Sequence, residues 1–153
     1  MKQSPSMERI QEKMQPGRLT IKGFLGDDDR KLADIIYEDH GNITAAGVTN
    51  EEIADRMQHF TDIAAKGLGS PVKTEDIYIV SVDDHRGTIP CPFSDNFNAG
   101  KRNTRFENIS LGITIYWSDL NIHMIKEHGF YEGKGSFFRI DTKDIAMILG
   151  LTK

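Results

Sequence analysis

The sequence predicts an α+β fold: an N-terminal helical hairpin followed by a small antiparallel sheet with C-terminal helices. Three observations carry this. Residues 27–67 place apolar side chains at helical spacing in two runs, with Gly47 between them. After Pro71 a β-branched stretch alternates, with Ile77, Ile79, Ser81 and Asp83 on one side and Tyr78, Val80 and Val82 on the other. Helical patterning returns only after the strands, so the two kinds of element are segregated along the chain. The 153 residues suit a single domain, mainly helical over 1–70, with a sheet and short helices over 71–153.

The elements follow in order. Ser4 and Pro5 open a short helix that Pro16 and Gly17 stop. Residues 18–24 (RLTIKGF) alternate weakly and read as a short strand or an extended lead-in. Asp27, Asp28 and Asp29 suit the positive end of a helix, and Leu32, Ile35, Ile36 and Ile43 follow on its face; Gly41 and Asn42 weaken it, so it either ends near His40 or runs on to Ala46. Thr49 with Glu52 three positions on is a capping box, ahead of Ile53, Met57, Phe60 and Ala64. Residues 104–109 and 113–117 are two further strands, and a long loop rich in Pro, Asn and Gly is expected over 84–103. Ser118 or Asp119 caps a short helix ended by Gly129. A last helix is expected from Asp141 and Thr142 to Gly150.

Composition narrows the function. The chain has 38% apolar and 27% charged residues, which suits a folded globule, and its net charge of −4 supplies no bulk positive field for nucleic acid. The helix after Thr49 carries Glu51, Glu52, Asp55 and Asp62 against Arg56 and Lys66, so phosphate would repel it. The N-terminus lacks the apolar core of a signal peptide, and no apolar run approaches the roughly 20 residues of a membrane span. One cysteine allows no internal disulfide and fits a reducing compartment, so a cytoplasmic protein is expected.

Three segments resist explanation by packing alone: 85–93 (HRGTIPCPF), 118–128 (SDLNIHMIKEH) and 131–139 (YEGKGSFFR). Residues 86–139 hold seven basic and five acidic side chains, a local reversal inside an acidic chain that suggests an anionic ligand. Arg86, Lys134 and Arg139 supply charge for it, Gly133 and Gly135 bare backbone N–H groups, and Tyr131, with Phe130, offers a wall. The lysine turn is not a phosphate-binding P-loop: its spacer is one residue short, and Gly135 stands where Ser or Thr would bind magnesium. The plainer reading is a turn whose glycines supply positive φ.

His85, Cys91, His123 and His128 form a second constellation, a ligand set for a divalent metal such as zinc. Against it, positions five apart on a helix differ by about 140°, so His123 and His128 point different ways unless the helix ends between them. The alternative makes His128 a last-turn residue favoured by the helix dipole and ties His123 to Asp119 or Glu127. Cys91, fixed between Pro90 and Pro92, is a nucleophile if His85 or His123 acts as its base, and otherwise a buried small apolar residue.

Residues 85–93 (HRGTIPCPF), 117–136 (WSDLNIHMIKEHGFYEGKGS) and 137–140 (FFRI) together resemble a family of small uncharacterised bacterial cytosolic proteins. The resemblance covers the C-terminal two-thirds of the chain and implies no activity. Three functions follow from the residues themselves. The first is a cleft for a small anionic molecule built from 85–93, 118–128 and 131–139. The second is an interaction or self-association module, a homodimer included, using the N-terminal helices. The third is a metal-dependent enzyme with a His/Cys site.

Overall fold

The computed structural model describes residues 2–153 and has the α+β architecture, with N-terminal helices, a four-stranded antiparallel sheet and a C-terminal helix packed on the sheet. Helix α1 (Pro5–Lys13) starts where Ser4 Oγ accepts the Met7 N–H, and the fully buried Met14 follows its last turn. The strand expected at 18–24 does not form. Its alternation has no apolar face to hide: Ile21 is 89% exposed and Leu19 only half-buried. The backbone there serves loop packing instead. Phe24 donates its N–H to Met14 C=O and accepts the Gly133 N–H, both at 2.9 Å.

Helix α2 (Leu32–Ala45) begins after the acidic triplet rather than on it, because Asp28 turns back to accept from Arg30 at 2.7 Å and from the Lys134 N–H at 3.1 Å. It runs through Gly41 and Asn42. Helix α3 (Asn50–Ala65) has the expected cap: Thr49 Oγ1 accepts the Glu52 N–H, and Glu52 accepts the Thr49 N–H.

The sheet is a meander, β1 (Val72–Thr74), β2 (Tyr78–Pro90), β3 (Asn98–Asn108) and β4 (Ile113–Ser118), with each strand antiparallel to the next. The long loop expected over 84–103 is the main correction. β2 and β3 stay paired out to Pro90 opposite Asn98, so only 91–97 connect them. Residues 83–88 are exposed throughout, so this stretch of β2 has no buried face and no apolar alternation to announce it. Gly87, at φ +98°, sits in the irregularity where the register shifts between His85 and Thr88.

Helix α4 (Asp119–His128) is capped by Ser118 with Asn121 and ends on Gly129 in the left-handed conformation. The last helix, α5 (Ile145–Ile148), is shorter than expected, since residues 142–144 form turns. Two cores result. One joins α3, the sheet and α5 around Phe60, Phe106 and Trp117. The other gathers Met14, Phe24, Leu32, Cys91, Met124 and Phe130 under α1 and the start of α2. Among the described residues no helix is long and apolar enough to cross a membrane.

Loops 24–28 and 132–136 cross in close contact. A Cβ on Gly133 would lie 2.2 Å from Leu25 O, against backbone that cannot swing away as a side chain could. Gly133→Ala is therefore expected to cost about 2–3 kcal/mol, on the scale of overpacking a tight site. Urea unfolding should show the midpoint falling, and an unchanged midpoint would mean the crossing is loose.

Candidate metal centre

The connection 91–97 (CPFSDNF) is short enough to be shaped by its own hydrogen bonds. Cys91 N–H donates to Phe97 C=O at 2.9 Å, and Ser94 N–H donates to Cys91 C=O at 3.2 Å. Ser94 (φ +60°) and Asn96 (φ +65°) are both left-handed and flank Asp95. Such paired departures in non-glycine residues cost energy and are held only where the surroundings demand them. The Phe97 N–H donates to Asp95 Oδ1 at 3.1 Å, which fixes the carboxylate and leaves Oδ2 for other partners.

Those partners come from α4. His123 Nε2 lies 2.6 Å and His128 Nε2 2.7 Å from Asp95 Oδ2. Each imidazole is held flat against a ring of the connection: His123 on Phe97 with centroids 3.7 Å apart, and His128 on Phe93 at 4.0 Å. Phe130 meets Phe93 edge to face at 5.7 Å and backs the assembly from the second core. The objection from helical angle does not hold. His128 is the final residue of α4, and the two rings converge on one oxygen, their centroids 5.6 Å apart. Asp119, the partner expected for His123, is instead paired with Arg102 at 3.1 Å.

Cys91 completes the group. One ligand atom each from Cys91, Asp95, His123 and His128 lies within 4.8 Å of the others, so the cluster can hold a metal ion. A tetrahedral zinc with bonds of about 2.0–2.3 Å spaces its ligand atoms about 3.3–3.8 Å apart, so side-chain shifts of about 1 Å would complete the geometry. His85 does not belong to this set. It sits on the exposed ribbon of β2, its Nε2 3.0 Å from Asp83, and Asp95 takes the fourth place.

The electrostatics suit a cation. Burial would raise the Asp95 carboxyl, but hydrogen bonds from His128, His123 and the Phe97 N–H outweigh it and hold the group well below the usual carboxylate range. Burial pushes the Cys91 thiol up to about 12, with the Asp95 charge adding to it against a hydrogen bond from Phe93. A thiol so raised lacks the thiolate that cysteine catalysis uses, whereas a coordinating divalent metal displaces the proton outright.

The residues singled out for anion binding lie apart from this centre, and several of them, Arg139, Tyr131 and Gly133 among them, are engaged by the chain's own groups. Arg139 makes a two-pronged pair with Asp39, at 2.6 and 2.8 Å. The Lys134 N–H donates to Asp28, whose carboxyl the Arg30 hydrogen bond holds down at about 2. Gly133 donates to Phe24 C=O, and Gly135 packs against Asp27. Tyr131 is fully buried, its hydroxyl donating to Asn50 at 2.7 Å, and Arg86 is exposed on the β2 ribbon. Segments 85–93 and 118–128 meet through Cys91 and the histidines. Segment 131–139 meets α4 at Asn121, about 200° around the helix from His123.

Sequence reasoning missed Asp95. No periodicity marks it, because 91–97 is a turn with Ser94 and Asn96 left-handed rather than an extended segment. Comparison of the chain with protein-family models, curated proteins and solved structures found no match to any of them.

Proposed function

We propose that this chain is a metal-binding domain that takes one zinc ion per chain through Cys91 Sγ, an Asp95 carboxylate oxygen and the Nε2 atoms of His123 and His128. The observation that carries the reading is the gathering of four such atoms within 4.8 Å, two of them imidazole nitrogens aimed at one carboxylate oxygen. Thiol, imidazole and carboxylate are zinc's ordinary donors. Four protein donors fill a tetrahedral shell, which favours a structural ion over a catalytic one with an open position. Bound there, zinc ties the 91–97 connection to the last turns of α4, and through Cys91, Phe93 and Phe130 it braces the second core.

The test is metal content and linked stability. Elemental analysis after exposure to zinc and desalting is expected to give one zinc per chain, and Cys91→Ser or His123→Ala to give far less. Free zinc at 100 times its Kd is expected to raise the unfolding free energy by about 2.7 kcal/mol. Less than about a tenth of an ion per chain, with no shift in stability, would overturn the proposal.

A further inference from the structure

The 91–97 connection borders two features. Asp95 turns to the histidines of α4, while Ser94 and Asn96 line a cavity of about 490 Å3 bounded across from them by the end of α1 and the bend after it, with Cys91 and Phe97 shared between the two. Lys13 and Arg18 are the only charged side chains lining this cavity, and Ser94, Asn96 and Asn98 face them with Cys91 between. No carboxylate belongs to the lining. Lys13 donates to the neutral Ser94 hydroxyl, and the one partner of Arg18 is Glu12, which is 66% exposed and outside the lining. An ion pair so open to water is worth little, so Arg18 can exchange Glu12 for another anion at small cost. Among the described residues, the amides of Asn96 and Asn98 have no side-chain hydrogen-bond partner.

We infer that this cavity is a binding site for a small molecule carrying an oxyanion, a carboxylate or a phosphate, clasped between Lys13 and Arg18 with its polar remainder toward Asn96 and Asn98. The volume lies within the roughly 300–1,000 Å3 of ligand sites. Two cations on flexible stems opposite amide donors suit oxyanion recognition by charge-assisted hydrogen bonds. Left-handed Ser94 and Asn96 alternate with Asp95, so the conformation that points Asp95 at the histidines also presents its neighbours to the cavity. The site does not require the metal.

Amide NMR titration of the full chain, as purified and again after chelation, tests this with inorganic phosphate and with succinate as probes and sodium chloride at matched ionic strength as reference. Phosphate or succinate is expected to move residues 13, 18, 94, 96 and 98 and to saturate in the millimolar range that so few heavy atoms allow. Whichever probe saturates at lower concentration identifies the preferred oxyanion. Lys13→Gln with Arg18→Gln is expected to weaken binding about tenfold or more, while Lys126→Gln, which removes a charge elsewhere, leaves it unchanged. Shifts that merely follow ionic strength as chloride does, or survive the double substitution, would overturn the inference. A chain that binds the probe but no zinc would overturn only the metal reading.

Discussion

Replacing Arg139 with methionine is expected to lower the unfolding free energy by about 3–5 kcal/mol, the usual cost of stranding one partner of a buried ion pair. Asp39 is 2% exposed on the inner face of α2, and both its oxygens are engaged by the Arg139 guanidinium. Thr142 donates to the same carboxylate at 2.7 Å, and Asn42 donates to Thr142 in turn. Arg139 also donates to the backbone carbonyl of Glu132 at 2.8 Å, so methionine would remove three hydrogen bonds at once. The pair joins residues 100 apart in sequence and clamps the 131–139 segment to α2.

The partner substitution separates charge from packing. Asp39→Asn in the Arg139→Met background removes the stranded charge and is expected to recover much of the loss. Urea unfolding of the two singles and the double measures this as a double-mutant cycle. A loss below about 1 kcal/mol in the single variant would mean that Asp39 finds water there. The cycle also bears on function, because Asp39 already holds the Nη1–Nη2 edge of Arg139 that an anionic ligand would use.

The capping box at Thr49 and the alternation of Tyr78, Val80 and Val82 are legible because each records a local rule: a side chain satisfying a helix-end N–H, and a strand with one buried face. The 83–88 stretch of β2 is not, since its residues are all exposed and pair with β3 through backbone groups that look alike in every sequence. The acidic triplet misleads for a related reason. Asp28 answers Arg30 and the distant Lys134 N–H rather than the start of α2. The centre divides along the same line. Cys91, His123 and His128 stand out by residue type, whereas Asp95 is one of many acids until the left-handed residues beside it aim it at α4. His85 has the right chemistry and the wrong side of a β-bulge.

Glu132 sets the other large expectation, a loss of stability as pH rises from about 4.5 to about 7. The carboxyl is 3% exposed and held at φ +68°, in a place where Asn121 and Ser136 donate to its two oxygens. Burial raises its pKa from 4.5 to about 7 and outweighs those two hydrogen bonds and the nearby Arg139 charge, which act to lower it. The folded chain therefore holds this proton more tightly than the unfolded chain does. Below pH 4.5 both states are protonated and the full benefit is present; as pH passes through 7 the folded state must ionise a buried acid, and the benefit is gone. A difference of that size amounts to about 3 kcal/mol across the window. Glu132→Gln keeps the shape, offers a carbonyl to Asn121 and lets the Ser136 hydroxyl turn round to accept. It is expected to remove this slope and to be the more stable protein at pH 8. Asp28 works in the opposite sense and at lower pH: its depressed pKa, about 2, supports the fold at neutrality and fails only as the solution becomes strongly acidic. Chemical unfolding of both proteins at pH 4.5, 6 and 8 reads the Glu132 contribution as the difference between two curves. Parallel curves would show that this carboxylate stays ionised inside the fold.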